Sequence, residues 1–305
     1  MFQLYDAHGP IEAINKETAV TVGVFDGVHR GHQQLLSILS PFTFHLSPLA
    51  VTLTAHPSFV LGRRDSEYWL DDPEEHLRLL FEAGVKYVAV LPFTKEVAQM
   101  TACEMAQTLY KLLHMRRLLI GYDSRFGNRE HDDFDRLPQL ATELGFTLQK
   151  GEPFLIDGHP ISSSRIRNTL TEGRVEDTAT LLGRPYSISG TVQHGRGVGH
   201  TLGFPTANIS LDSTRKMLPQ EGVYFVKVKG DELNVKGMAN LGSIPTFNID
   251  KPSLEVHLID FASDLYGETV IVEFHHRLRD IVRFNNAEEL QQQLQEDFNT
   301  CHRYE

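Results

Sequence analysis

Cysteine is scarce in this 305-residue chain: only Cys103 and Cys301 occur, far apart and in no metal-type spacing. A disulfide framework and a structural zinc site are therefore not expected, and a reducing, cytoplasmic setting fits. Positive charge is also in short supply, with 29 Lys and Arg against 40 Asp and Glu and a net charge of −11. That balance, with no basic-aromatic stripe, argues against a nucleic-acid partner. It leaves room for a small anionic substrate, which needs only a local cluster. No apolar run approaches the roughly 18 residues that span a bilayer. The start, Met1-Phe2-Gln3-Leu4-Tyr5-Asp6, lacks the basic-then-apolar pattern of a signal peptide. No membrane partner is expected. Internal repeats and low-complexity segments are absent as well.

What is present reads as two globular domains. Apolar content of 41% and charged content of 23% suit buried cores, and the length is enough for two of them. Residues 20–150 alternate strand-like and helix-like stretches: strands at 20–25, 49–54, 87–91, 118–121 and 146–149, helices at 31–40, 72–84, 101–114 and 137–144. This alternation predicts an α/β domain, Rossmann-like, with a parallel sheet and helices on both faces. From Tyr186 onward the pattern is short strands broken by Gly, Pro and Asn, at 187–194, 223–229, 235–241, 254–260 and 269–276. A helix follows at 287–298. These signals predict an antiparallel β-barrel or sandwich closed by a terminal helix. The expected domains are 1–182 and 183–305.

The most informative run is Thr21-Val22-Gly23-Val24-Phe25-Asp26-Gly27-Val28-His29-Arg30-Gly31-His32. A strand ends in a glycine turn, and two histidines follow at the start of a helical pattern. That layout aims imidazoles and unpaired helix N–H groups at one point, where a phosphate would be stabilised. Surface or metal-binding histidines are the alternative for either residue alone. Gly121-Tyr122-Asp123-Ser124-Arg125-Phe126-Gly127 is by itself compatible with a plain β-to-α loop. Ile161-Ser162-Ser163-Ser164-Arg165-Ile166-Arg167 offers N-cap hydroxyls and an arginine suited to bidentate phosphate contact, or else a capped surface helix.

In the second half, Gly195-Arg196-Gly197-Val198-Gly199-His200 reads as a flexible flap with exposed N–H groups suited to polyphosphate. Thr206 and Asn208 face the same way on an extended strand and could offer two oxygens to Mg²⁺. Glu255 and His257 share a face of the strand at 254–260. A carboxylate there could be a general base for a hydroxyl, or a solvated strand-face acid.

The three strings of the first half resemble the adenylyltransferase module of bacterial FAD synthetases. The second half resembles the bacterial riboflavin kinase module at Gly183-Arg184-Pro185-Tyr186, Gly203–Asn208, Gly222-Val223-Tyr224, Ala239-Asn240-Leu241-Gly242, Leu254–Asp260 and Asp264-Leu265-Tyr266-Gly267. Together they resemble the bifunctional riboflavin kinase/FAD synthetase family. The resemblance implies ATP-dependent phosphorylation of riboflavin to FMN, then AMP transfer from ATP to FMN, giving FAD. It assigns His29, His32 and Glu255 to catalysis. Gly23, Phe25, Asp26, Gly27, Gly31, Ser164, Arg165, Gly195, Gly197 and Gly199 would bind ATP or its phosphates. His56 (in His56-Pro57, similar to the family's P-H-P loop), Asp123 and Arg125 would meet flavin, and Thr206 and Asn208 would hold Mg²⁺. Other readings are an adenylyltransferase with an idle kinase-like module, or a flavin sensor without turnover.

The chain departs from the family's strings at a few positions. Ser124 stands where the family has Phe, and the stretch 128–133 lacks a glycine expected after its basic residue. His200 and Ile244 each replace an Arg, and Ile281 replaces a Glu. Loss of an Arg and a Glu, both to Ile, suggests that Ile244 and Ile281 pack together in place of an ion pair.

Overall fold

The computed structural model describes residues 2–39, 45–54, 62, 68–124, 126–128, 133–194, 203–212, 214–246 and 249–304, with backbone alone at 243–246 and 249–251. The chain forms two compact units, Met1–Ser163 and Ser164–Glu305.

The first unit contains β1 (Gln3–Asp6), β2 (Gly9–Ile11), β3 (Thr18–Val22), α1 (Arg30–Ser37), β4 (Ser47–Leu53), α2 (Pro73–Glu82) and β5 (Tyr87–Leu91). It continues with α3 (Lys95–Gln99), α4 (Ala102–Leu112), β6 (Met115–Ile120), α5 (Leu137–Leu144), β7 (Thr147–Lys150) and the small hairpin of β8 (Leu155–Ile156) and β9 (His159–Pro160). Seven strands form one sheet in the order β2-β1-β5-β4-β3-β6-β7. The five strands β3 to β7 run parallel. At one edge the sheet adds two strands outside the predicted alternation, β1 pairing antiparallel with both β2 and β5. Those two edge strands are short and half-exposed, so they carry little apolar pattern.

Alternate residues of the central strands feed two cores, as the two-residue strand period requires. Val20, Leu49, Val51, Ala89 and Leu118 join one core with residues of α4 and α5. Their neighbours Ala19, Ala50, Val88 and Leu119 join the other with residues of α1 and α2. Helices thus cover both faces. Thr101 and Glu104 form the capping box of α4 that their spacing predicts. Gly127 (φ 86°) is held so close to α4 that a Cβ would lie 2.4 Å from the Ala102 nitrogen.

Helix α6 (Ser163–Thr171) starts at the last residue of the first unit, and the second unit continues with α7 (Val175–Leu182), β10 (Tyr186–Gln193), β11 (Ala207–Ile209), β12 (Gly222–Lys229), β13 (Asn234–Thr246), β14 (Ile249–Leu258), β15 (Thr269–Arg279) and α8 (Ala287–His302). The strands close into a six-stranded barrel in the order β10-β11-β14-β13-β12-β15, every pair antiparallel. Tyr224, Val226 and Val228 are buried on one face of β12. Val223 and Phe225 lie on the other face, in a separate core with Met238 of β13 and Cys301 of α8, and Leu294 and Phe298 of the same helix pack against it.

α8 is tied to the barrel by charge as well. The Arg279 guanidinium donates to Asp297 through Nε at 3.0 Å and Nη2 at 2.6 Å, and Asp297 is 5% exposed. Gln293 also donates to that carboxylate. Asp297→Ala leaves the guanidinium half-buried without its partner and should cost about 3 kcal/mol. Urea unfolding followed by a probe in the second unit checks this, since a loss below about 1 kcal/mol would mark the pair as a solvent-screened contact.

Candidate functional site

The first site is built at the carboxyl ends of adjacent strands, where parallel sheets bind ligands. β3 stops at Val22, and the chain turns through two non-glycine residues with positive φ, Phe25 at 52° and Val28 at 35°. Such strain persists only when the surroundings enforce it. The Phe25 ring is buried in the core, and a Cβ on Gly23 would lie 3.0 Å from it. The Asp26 carboxylate is also buried and accepts the Leu70 N–H at 2.8 Å. The Gly27 N–H donates to Asp71 at 3.1 Å.

His29 is the N-cap of α1, and its Nδ1 accepts the His32 N–H at 3.3 Å. The proton of a neutral His29 is thereby placed on Nε2. The N–H groups of Arg30 and Gly31, in the first helical turn, have no intrahelical partner. The His29 and His32 rings stack with centroids 3.6 Å apart and planes at 15°. Gly31 makes room for this, because a Cβ there would come within 3.2 Å of the His29 ring. Burial, then the neighbouring His29 and His76, push the His32 imidazole well below its ordinary value. His32 Nδ1 is buried and finds no hydrogen-bond partner among the described residues.

Beside this pair lies a pocket whose lining includes His29, His32, Tyr122, Asp123, Glu152 and Ser163. β6 supplies Tyr122 and Asp123 through the tight turn in which the Ser124 N–H donates to the Gly121 carbonyl. β7 supplies Glu152 just past its end. Ser163, first in α6, donates its hydroxyl to the Asp26 carbonyl at 2.9 Å, which fastens the turn from the far side. Ser164 and Arg165 follow within the first turn of α6. Glu152 and Phe154 lie outside every motif singled out in the sequence, and Tyr122 was inside one without a role. Gly121 and Gly151 flank Leu35, with a Cβ on Gly151 only 2.6 Å from it, and that pairing of glycines is the signal that could have found this wall.

The second site lies on the outer face of the barrel. Asn208 of β11 stands opposite Glu255 of β14, and Glu255 stands opposite Asn240 of β13. Cross-strand partners put their side chains on one face, so Asn208, Glu255 and Asn240 make a polar row. Thr206 lies two residues before Asn208, just ahead of β11. His257 is buried, and its Nδ1 lies 2.8 Å from the Pro205 carbonyl, which fixes its proton there and holds the chain entering Thr206. Phe204 meets the His257 ring edge-on at 5.3 Å. His257 was seen in the sequence only as a companion of Glu255, and its hold on the loop is new.

His56, Arg125, Gly195, Gly197, Gly199 and His200 lie outside the described residues, as does the side chain of Ile244. Ile281 is 44% exposed and rests against Gly242. Among the described residues no group of three or more His, Cys, Asp or Glu is arranged to hold a metal.

The FAD synthetase family model matches residues 11–165, and the riboflavin kinase model matches 182–305. A Haemophilus influenzae bifunctional riboflavin kinase/FMN adenylyltransferase is 37% identical over 299 residues, covering 93% of this chain and 92% of the relative. The Escherichia coli protein of that description is 36% identical, covering 95% and 93%. A Streptococcus pneumoniae crystal structure, described as a macrolide-efflux protein, superposes with a TM-score of 0.88 at 30% identity over 96% of each chain. Its description belongs to that protein, and among the described residues here no helix is long and apolar enough to cross a membrane. Two family models in series and full-length relatives give one result: the chain belongs to the bifunctional riboflavin kinase/FMN adenylyltransferase family.

Proposed function

We propose that the chain carries out two successive steps of flavin cofactor synthesis, with 183–305 acting as riboflavin kinase and 1–182 as FMN adenylyltransferase. In the first step the ribityl 5′-hydroxyl of riboflavin gives its proton to Glu255. Its oxygen attacks the γ-phosphorus of ATP, the β–γ bridging bond breaks, and FMN and ADP form. In the second step a phosphate oxygen of FMN attacks the α-phosphorus of a second ATP. The α–β bridging bond breaks, and FAD and pyrophosphate form. The attacking group is already an anion, so this step needs placement and charge stabilisation rather than a base.

The observation that best supports the adenylyl-transfer reading is the stacked pair at the head of α1. His29, its Nδ1 accepting the His32 N–H, carries its proton on Nε2, a donor suited to an α-phosphate oxygen as charge builds there. A neutral His32 stacked on it adds a second imidazole without charge repulsion. In this reading Gly23, Phe25, Asp26, Gly27 and Gly31 shape the ATP turn, Ser164 and Arg165 hold phosphate, and Asp123 meets flavin. In the kinase half, Thr206 and Asn208 would hold Mg²⁺. Their neutral oxygens, with the Glu255 carboxylate opposite Asn208, suit a hard cation that keeps several waters. Bound there, Mg²⁺ neutralises charge on the ATP phosphates.

Incubation with riboflavin, ATP and Mg²⁺, followed by separation of the flavins, tests the scheme. Both FMN and FAD are expected. FAD formed only from supplied FMN would reduce the chain to an adenylyltransferase, and no turnover of either flavin would leave a flavin-binding protein.

A further inference from the structure

The strained turn is enclosed by a buried hydrogen-bonded ring that no motif announces. Thr52, near the end of β4, donates its hydroxyl to the Val24 carbonyl at 3.0 Å. His76 Nε2 lies 3.0 Å from the same Thr52 oxygen. On its other side, His76 Nδ1 lies 3.0 Å from Asp71 Oδ2, which also accepts the Gly27 N–H. The ring therefore runs Val24, Thr52, His76, Asp71, Gly27 and closes across the turn that contains Phe25 and Asp26.

The protons in this ring follow from the donors. A threonine hydroxyl has one hydrogen, and Val24 takes it, so Thr52 can only accept from Nε2–H. A carboxylate accepts, so Nδ1 must also carry a hydrogen. The two contacts together call for a hydrogen on each nitrogen of His76, which is the imidazolium form. Its side chain is 11% exposed and that of Asp71 is fully buried. Asp71 Oδ1 makes no hydrogen bond among the described residues, so its charge has His76 as its close counterpart.

The charged groups around His76 come from three elements. Asp71 precedes α2, Asp26 sits in the turn, and Glu75 is its neighbour on α2. Burial works against the charge, but these three carboxylates outweigh it, and the His76 imidazole is raised above its ordinary value. From α1, His32 feels the positive charge as a depression of its own.

We infer that His76 is a positioning residue of the adenylyl-transfer site: clamped as an imidazolium between Thr52 and Asp71, it locks the strained turn that presents His29 and sets a positive charge behind His32. The inference rests on the reading of that turn as the AMP-transfer site. It predicts that pH acts through His76. The raised charge contributes stability fully below the ordinary histidine value near 6.5, and this is lost as pH rises through the higher folded value. His32 acts in the opposite sense, costing stability as pH falls below about 6.5.

Nitrogen-15 NMR of the histidine rings in the intact wild-type protein tests the charge directly. Both His76 nitrogens should remain protonated at pH 7, and in His76→Gln the His32 titration should move up toward its ordinary range. In the same variant, kcat for FMN adenylylation at pH 7 should fall about tenfold, corresponding to ~1.4 kcal/mol. KM for ATP should change less, the kinase rate should hold, and the fall in rate with rising pH should vanish. A neutral His76 at pH 7, or a variant with the parental kcat and pH profile, overturns the inference. Should His76→Gln fail to fold, the wild-type ring spectrum still decides the charge. If wild-type protein shows the imidazolium yet forms no FAD, the reading of the site fails, and the buried charged clamp stands without it.

Discussion

Replacing Glu255 with Gln lowers the rate of riboflavin phosphorylation about 10²–10⁴-fold, the range for loss of a general base, and leaves conversion of FMN to FAD at its parental rate. Gln keeps the volume and hydrogen-bonding reach of Glu, so the row from Asn208 through position 255 to Asn240 stays in register. What disappears is an oxygen able to take a proton. A base acts on a proton that moves only in the transition state, so kcat and kcat/KM should fall together. Steady-state assays with riboflavin and with FMN as separate substrates read the two steps independently. An unchanged kinase rate would assign the proton to another acceptor. An equal fall in both rates would mean that the variant had damaged more than one unit.

The complementary result is expected at the head of α1. His29→Ala lowers FAD formation about 10²–10³-fold, as for removal of one preorganised donor to a developing oxyanion, with the kinase rate unchanged. His29 does two things that can be separated. Its Nδ1 caps the helix by accepting the His32 N–H, and its Nε2–H points elsewhere. Ala removes both and should cost about 1 kcal/mol of stability through the lost cap. Asn restores a good cap without the imidazole. His29→Asn should therefore unfold like the wild-type protein and still lose most of its adenylyl transfer. Recovery of activity with stability would show that the cap was the whole contribution.

The sequence was most readable where one physical signal dominated. The parallel strands β3 to β7 and the helices between them announce themselves by buried apolar runs, and the Thr101–Glu104 capping box was visible from spacing alone. The edge strands β1 and β2 were not, because they are short and half-exposed. α7 was missed for a related reason: after the Ser163 helix, a second short helix separated by Gly173-Arg174 looks like more of the same segment. In the site, His29 and His32 were legible because a strand, a glycine turn and a helix start coincide there. Thr52, Asp71 and His76 were not, since nothing in their spacing shows that the end of β4 and the head of α2 meet beneath one turn. Only the folded register makes His76 a neighbour of Val24 and Gly27.

The two cysteines acquire a use from their positions. One lies in each unit, and neither is in a disulfide. Burial, aided by Asp133, pushes the Cys103 thiol up to about 11, and burial with Asp297 pushes Cys301 up to about 12. Neither sulfur is a ready thiolate in the native state, so thiol-directed oxidants and alkylating agents find little to attack until a unit opens. Each half of the molecule thus carries a single internal gauge of its own opening. An alkylated Cys103 with an intact Cys301 records a breath of the nucleotide-handling half, and the reverse records one of the barrel. Two ligands of one pathway can in this way be seen to steady different halves of the same chain, without any label added to either.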